Sequence, residues 1–133
     1  MKRRVVITGM GVVSPIGNNV EEVWDALQEG RCGIGKVTHF DTSEFRAKLA
    51  GEVKDLDMEQ YFTKRELKFN DRFTQFARIA AKQAYADSGL SEDTIKADAF
   101  GVILGSGIGG IATIEGASTT LKDRGPSRVS QIG

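Results

Sequence analysis

Residues 70–89, which read NDRFTQFARIAAKQAYADSG, form the longest stretch of helical periodicity in the chain. Asn70 or Asp71 can cap the start of this helix, and Gly89 is suited to follow its end. The apolar side chains recur at helical spacing and share one face: Phe73, Phe76, Ala77, Ala80, Ala81 and Ala84. Because the alanines are small, another helix or a sheet can approach them closely, so we predict a central position for this helix.

Two apolar runs lie on either side of this helix in the sequence. Residues 4–9 (RVVITG) and 99–105 (AFGVILG) are apolar at consecutive positions, which is typical of strands buried on both faces. A shorter run at residues 49–53 (LAGEV) is compatible with a short strand. Two further amphipathic helices are predicted, one capped by Asn19 and one that begins at Ile111 and ends before the Gly-Pro pair.

The alternation of helices with buried strands predicts an α/β fold in a single domain. Two strands that are buried on both faces are too few for a stable parallel sheet, which needs three or more. The pattern therefore predicts the front part of a larger α/β unit. We expect the 133-residue chain to expose apolar edges along residues 5–7 and 102–104, and to tend to aggregate.

The composition is that of an ordinary globular protein, with 18 basic and 18 acidic residues. No apolar run approaches the ~20 residues of a membrane span, and the run after the basic start MKRR is too short for a signal peptide. We therefore predict a cytoplasmic protein without a membrane partner. The sequence has neither an excess of basic residues nor an aromatic stacking platform, so nucleic acid is a poor candidate partner.

The chain has one cysteine, Cys32, and one histidine, His39. A single cysteine excludes an internal disulfide and a thiolate metal cluster, and no metal site is predicted. Both residues lie in a segment without helix or strand signals, and nothing in the sequence places them together. Cys32 has Arg31 beside it but no helix N-terminus to activate a thiolate, so we do not predict it as a nucleophile.

The run GSGIGG at residues 105–110 has the spacing G-x-G-x-x-G of dinucleotide-binding turns. A predicted strand precedes it and a predicted helix follows it, as that fold requires. However, the turn comes late in the chain, and no second strand ends in an acidic residue ~20 positions further on. The alternative is steric: the glycines allow close backbone packing or the passage of a thin ligand, with Ile108 projecting into that space. The steric interpretation is favoured.

Five segments in register resemble the β-ketoacyl-acyl-carrier-protein synthases, especially the type II elongating enzymes of bacterial fatty acid synthesis. In chain order they are RRVVITGMGVVSPIGN (3–18), HFDTSEF (39–45), AGEVKD (50–55), NDRFTQFA (70–77) and GSGIGG (105–110). The family has the thiolase fold, in which two similar βαβαβαββ halves form five layers. The resemblance, which covers residues 1 to about 130, implies that this chain is the first portion of the N-terminal half.

The resemblance also implies a reaction and its partners. In this family, a cysteine at a helix N-terminus takes the acyl chain from acyl carrier protein, and two histidines assist the decarboxylation of malonyl-carrier protein. The resulting carbanion attacks the thioester and extends the chain by two carbons. The enzymes are homodimers and need no cofactor or obligatory metal. None of the three catalytic residues falls in the part matched here, so we expect no catalytic residue in this chain and no activity from the 133 residues alone.

Two kinds of site carry over to this sequence. The isoleucine of the GSGIGG turn lines the family's acyl pocket, which assigns that role to Ile108. Basic residues before the long helix and after the Gly-Pro pair dock acidic acyl carrier protein; here they are Lys64, Arg65, Lys68 and Arg128. Phe69 and Ser127 stand where further basic residues are common, and an ordinary solvated helix face, with Glu66 and Asp71 among the cations, is the alternative.

The last residues depart from the family. Its members continue from Arg-Val-Ser into Pro-Phe-Phe, whereas this sequence continues with Gln131-Ile132-Gly133. Truncation, a change of reading frame or a remainder outside the sequence would each produce this difference. A fragment that keeps only carrier-protein or subunit contacts is therefore the alternative to a portion of an active enzyme, and a dinucleotide-binding domain is the second alternative.

Overall fold

The structure is a computed structural model that describes residues 3–130, so the departure at residues 131–133 lies outside the described part. The helices and strands follow in this order: α1 (Val20–Gln28), β1 (Ile34–Lys36), β2 (Leu49–Gly51), α2 (Lys64–Phe69), α3 (Arg72–Asp87) and α4 (Ile111–Arg124). Single 3₁₀ turns lie at Met58–Gln60, Ala97–Ala99 and Pro126–Arg128.

Helix α1 has the ends that its sequence predicts. The Asn19 side chain accepts a hydrogen bond from the Glu22 amide at 2.9 Å, which satisfies an otherwise unpaired donor of the first turn. At the other end Gly30 has φ 66°, and its amide donates to the Leu27 carbonyl at 3.2 Å. The following amide, of Arg31, reaches further back into the helix, so the helix closes in a Schellman motif that favours glycine.

The N-terminal backbone approaches helix α3 closely, as its alanines predict, although this segment is neither a helix nor a strand. Backbone atoms of Ala80 and Ala84 lie so close to Gly9 and Gly11 that a β-carbon at either glycine would overlap them. The helix also carries Ile79, which is fully buried. The small residues of both segments thus let the N-terminal backbone lie directly on α3.

Side chains of α3 hold this N-terminal segment by hydrogen bonds. The Met10 amide donates to the Asp87 carboxylate, and the Val12 amide donates to Gln83 Oε1, both at 2.9 Å. Gln83 Nε2 in turn donates to the Asn18 carbonyl at 2.7 Å. Gln83 therefore ties the beginning and the end of the loop that precedes α1 to α3.

Strands β1 and β2 form a small antiparallel pair, with Ile34 opposite Gly51 and Lys36 opposite Leu49. Strand β2 confirms the short strand predicted within residues 49–53. The sequence did not indicate β1, because its three residues, Ile-Gly-Lys, are too few to show an alternation of apolar and polar positions.

The predicted strands at residues 4–9 and 99–105 are wrong for the described part of the chain, residues 3–130. Neither run belongs to a sheet there, and neither is buried. Val5 is 93% exposed and Ile103 is 100% exposed, which confirms the expectation that these apolar segments would be uncovered. The physical reason is that a strand needs a hydrogen-bonded neighbour, and in these residues neither run has one.

The helices show no membrane-spanning character. Among residues 3–130, none is both long enough and apolar enough to cross a bilayer.

Candidate functional site

The glycine turn at residues 105–110 is open to solvent over most of its length. The Ser106 hydroxyl accepts a hydrogen bond from the Gly109 amide at 2.9 Å, and Gly109 has φ 78°, a conformation that favours glycine. Ile108 is 73% exposed. A β-carbon at Gly105 or Gly107 would meet no atom within 4 Å. The residue assigned to an acyl pocket thus projects from the turn without an enclosing wall in this chain.

The start of α4 is held by an aspartate of another helix. Asp71 precedes α3, and its carboxylate accepts a hydrogen bond from the Thr113 hydroxyl in the first turn of α4. A β-carbon at Gly110 would overlap the same carboxylate. In a dinucleotide-binding turn, the pyrophosphate would occupy the start of this helix. A carboxylate in that position repels phosphate, so the geometry disfavours the dinucleotide alternative.

Basic residues before α3 lie on a short helix that the sequence analysis missed. Helix α2 has a complete capping box: the Thr63 hydroxyl accepts from the Glu66 amide, and the Glu66 carboxylate accepts from the Thr63 amide. The signal was present in the sequence as Thr-x-x-Glu, the spacing that favours reciprocal capping. Helix α2 therefore fixes Lys64 and Lys68 one turn apart, on the same side.

All four predicted docking residues are exposed: Lys64, Arg65, Lys68 and Arg128. Within residues 3–130 none of them forms an ion pair. The Lys68 ammonium lies 5.9 Å from the centre of the Phe69 ring, so the side chain rests on its aromatic neighbour. These cations are therefore available to an acidic partner from solution.

The two acidic residues among these cations are engaged elsewhere. Glu66 pairs with Arg78 of α3 at 2.9 Å, and Asp71 bonds to Thr113. The hydrogen bond from the Thr63 amide is the main cause that lowers the pKa of Glu66 to about 2, and the Arg78 bond contributes next. Glu66 is thus paired with a cation of α3, whereas Asp71 keeps its negative charge beside the basic residues, so the docking surface and the ordinary solvated face both stay predictions.

A cavity of about 490 Å³ lies between Lys68, one of the predicted docking residues, and the start of α4. Lys68 and Arg72 line it from the α2–α3 junction, Thr113 from α4, and Ser130 from the segment after the last 3₁₀ turn. The structure thus brings residue 130, two positions from Arg128, next to the basic residues around α2. Ile108 does not line this cavity.

Cys32 and His39 show no catalytic arrangement. Cys32 is exposed in the loop after α1, with its Sγ 4.0 Å from the Ile34 carbonyl oxygen. His39 is exposed and lies 3.8 Å from the Glu52 carboxylate. Hydrogen bonds from the Thr38 amide and hydroxyl lower the pKa of Glu52. Residues 3–130 hold no group of three histidine, cysteine or carboxylate side chains that could bind a metal ion.

The sequence matches a family model, the β-ketoacyl synthase N-terminal domain, over residues 2–132. It is 46% identical over 129 residues to the 3-oxoacyl-[acyl-carrier-protein] synthase 2 of Synechocystis. The proteins of the same name from Staphylococcus aureus and Vibrio cholerae are 48% and 47% identical over 128 and 129 residues. These matches cover 96–97% of this chain but 31% of each relative, so the chain spans about a third of their length.

A solved structure agrees with these matches. The ishigamide ketosynthase/chain length factor superposes on 99% of this chain with a TM-score of 0.80 and 33% sequence identity, and the match covers 33% of that chain. The backbone described above is therefore ketosynthase-like, including the runs at residues 4–9 and 99–105 that form no sheet here.

Proposed function

The chain belongs to the β-ketoacyl synthase family, and from that premise we propose that its 133 residues are part of a 3-oxoacyl-[acyl-carrier-protein] synthase 2. The observation that carries the proposal is the 46–48% identity to three enzymes of that name across nearly the whole chain. In this proposal the chain is the first portion of the N-terminal half of a thiolase-like fold. Residues 4–9 and 99–105 are then strands whose neighbours come from the rest of the enzyme.

The proposed reaction is a decarboxylative Claisen condensation in fatty acid elongation. An acyl group moves from the thiol of its carrier protein to an enzyme cysteine. Malonyl-carrier protein then loses carbon dioxide, and the resulting carbanion attacks the acyl thioester carbonyl, which expels the cysteine thiolate. The product is a β-ketoacyl group, two carbons longer, on the carrier protein. Homodimer formation and a cytoplasmic location remain predictions from the resemblance and the sequence.

The 133 residues alone are predicted to be inactive, because neither Cys32 nor His39 has the surroundings that the reaction needs. A catalytic thiolate requires a helix N-terminus or a nearby cation for activation; no helix begins at Cys32, and the neighbouring Arg31 pairs with Glu29. The test is to incubate the chain with acyl- and malonyl-carrier protein and to look for β-ketoacyl product. Product formation by the chain would overturn this part of the proposal.

Activity is tested in a chimera, in which this chain replaces the matching segment of the Staphylococcus aureus enzyme. We expect the chimera to condense acyl and malonyl groups on their carrier proteins, because nearly half of the replaced residues are identical. A folded, soluble chimera without any condensation activity would contradict the proposed function.

Carrier-protein docking is proposed for the basic residues around α2 and for Arg128. The support is their exposure and the pairing of Glu66 with Arg78. Changing Lys64, Arg65 and Lys68 to glutamate should weaken carrier-protein binding at least tenfold, and the loss should shrink at high salt. Binding is measured by titration of labelled acyl carrier protein.

A matched control for docking carries the same change of charge elsewhere. Lys36, Arg46 and Lys96 are exposed and lie away from α2 in the sequence, so their replacement by glutamate should alter affinity much less. Equal losses in both triple variants would show a general charge effect and would contradict a docking surface. Retained binding by an inactive chimera would favour the alternative of a non-catalytic fragment with carrier contacts.

The acyl-pocket role of Ile108 is proposed from the resemblance and from its projection out of the turn. In the chimera, Ile108→Phe should shorten the accepted acyl chain, because the larger ring fills the pocket. Ile114→Phe is the control, since Ile114 is similarly exposed on α4 but lies outside the turn. Normal elongation of long acyl chains by the Ile108→Phe enzyme would show that the pocket assignment is wrong.

A further inference from the structure

Asp71 stands at the cap position of α3 but does not cap that helix. Its side chain makes no hydrogen bond to the α3 backbone. The carboxylate instead accepts the Thr113 hydroxyl hydrogen bond in the first turn of α4, 42 positions along the chain. A cap residue ordinarily stabilises its own helix through the amides of the first turn. The side chain of Asp71 therefore serves the contact between two helices rather than the start of one.

Gly110 lies where a β-carbon would meet the Asp71 side chain. Its backbone angles, φ −86° and ψ 72°, do not lie in the left-handed region that favours glycine. The three atoms nearest to a β-carbon at this position all belong to the Asp71 carboxyl group, and they would overlap it. The glycine at residue 110 thus lets the Asp71 carboxylate keep this position, because an added β-carbon would force that side chain to shift.

The Asp71 contact joins the two surfaces that the proposed function uses. On one side, Asp71 follows the basic helix α2 and lines the same cavity as Lys68. On the other side, Gly110 and Thr113 lie two and five positions after Ile108. The negative charge also lies at the positive end of the α4 dipole, where a carboxylate is favourable.

We propose that Asp71 is a positioning residue that fixes the start of α4, and with it the Ile108 turn, relative to the basic residues around α2. The inference rests on the proposed function as far as catalysis is concerned. Asp71 acts through Gly110 and Thr113 and does not touch the substrate. Loss of the contact lets the Ile108 turn move while the docking residues keep their place.

The first test is made in the chimera, with kcat and KM measured separately. Thr113→Val should lower kcat for long acyl chains about fivefold, as expected for the loss of one hydrogen bond, and should leave the KM for carrier protein unchanged, whereas Thr113→Ser keeps the hydroxyl and should retain kcat. Asp71→Ala should lower kcat by a similar factor, and because it removes a negative charge beside Lys68 it should not raise the KM for carrier protein. A change in KM alone, or equal effects of valine and serine, would overturn the positioning role.

A double-variant cycle tests whether a β-carbon at residue 110 disturbs the Asp71 carboxylate. Gly110→Ala alone should impair long-chain activity, because the added β-carbon displaces the carboxylate. In the Asp71→Ala background the same change should cost little, since the overlapping atoms are gone. If Gly110→Ala were equally harmful in both backgrounds, the harm would not come from overlap with the Asp71 carboxylate.

Hydrogen exchange on the 133-residue chain tests the inference without catalysis. The amides of Gly109, Ile111 and Ile114 are hydrogen-bonded within the turn and the first turn of α4. Asp71→Ala and Thr113→Val should speed their exchange about fivefold, while the α1 amides serve as an unchanged reference. If the unmodified chimera were inactive while the two variants of the 133-residue chain exchanged faster as expected, only the proposed function would be contradicted. Unchanged exchange in both variants would contradict the positioning role alone.

Discussion

Residues 5–11 (VVITGMG) and 102–107 (VILGSG) have nearly the same pattern, an apolar run followed by two glycines one residue apart. In both segments the apolar side chains are exposed. The glycines differ. Those of the first segment lie against the α3 backbone, whereas a β-carbon at either glycine of the second would meet nothing within 4 Å. One pattern thus has two structural meanings, and the neighbouring element decides between them.

The two segments also differ in how they are held. Side chains of Asp87 and Gln83 accept hydrogen bonds from the backbone at Met10 and Val12. In the second segment, the described hydrogen bond is local, from Gly109 to Ser106. We infer that the N-terminal segment packs as part of this chain, whereas residues 102–107 need a neighbouring element that the described residues do not supply.

The largest expected effect comes from adding a methyl group to each segment. Gly11→Ala forces a β-carbon into the backbone of Ala80 and Ala84, and overpacking of this kind costs roughly 1–3 kcal/mol of unfolding free energy. Gly107→Ala meets open space, and the loss of unfolded-state freedom should stabilise the chain by about 0.4–1 kcal/mol. Urea unfolding followed by circular dichroism measures both variants.

The informative quantity is the difference in unfolding free energy between these two variants, because both replace one glycine by alanine. Equal unfolding free energies would show that the N-terminal segment does not rest on α3. A large loss in the Gly107→Ala variant would show that the second segment is packed after all.

A smaller effect is expected from the side chain that ties the N-terminal loop to α3. Gln83→Leu removes the bonds to the Val12 amide and the Asn18 carbonyl, and each net contribution is about 0.5–1.5 kcal/mol. Lys82→Leu, at the exposed neighbouring position, is the control and should change the unfolding free energy by less than about 0.5 kcal/mol. Equal losses in the two variants would mean that Gln83 does not hold the loop.

The sequence predicted the helices better than the strands. Periodicity and capping residues are local, so α1, α3 and α4 were found, and the alanines indicated correctly that another segment lies close to α3. Strands need neighbours, and the pattern of residues 4–9 and 99–105 cannot tell whether a neighbour is present. Helix α2 was missed because only six residues lie in it, although Thr63 and Glu66 carried its capping signal.

The candidate site was only partly predictable. The docking cations could be named from their order in the sequence, but the structure was needed to see that Glu66 and Asp71 are engaged elsewhere. Asp71 was predicted only as a possible helix cap. Its hydrogen bond to Thr113 joins residues 42 positions apart, and no local sequence pattern predicts such a contact.

The smallest expected effect concerns pH, and it tests the claim that Glu66 is held away from the docking cations. The pKa of Glu66 falls from an ordinary 4.5 to about 2 in the folded chain. A carboxyl group with a lowered folded pKa stabilises the protein above its unfolded pKa, and the contribution disappears as the pH falls. Unfolding free energy should therefore decline between pH 4.5 and about 2, and Glu66→Gln should flatten that decline.

Thr63→Val separates the causes of this pH dependence. It removes the hydroxyl bond but keeps the Thr63 amide, which is the largest cause of the lowered pKa, and it keeps the Arg78 pair. The decline should therefore remain in Thr63→Val, although it becomes shallower than in the unchanged chain. Because the ion pair is partly exposed, added salt should weaken it further. If Glu66→Gln had the same pH profile as the unchanged chain, Glu66 would not be held by Thr63 and Arg78, and this support for the basic surface around α2 would be lost.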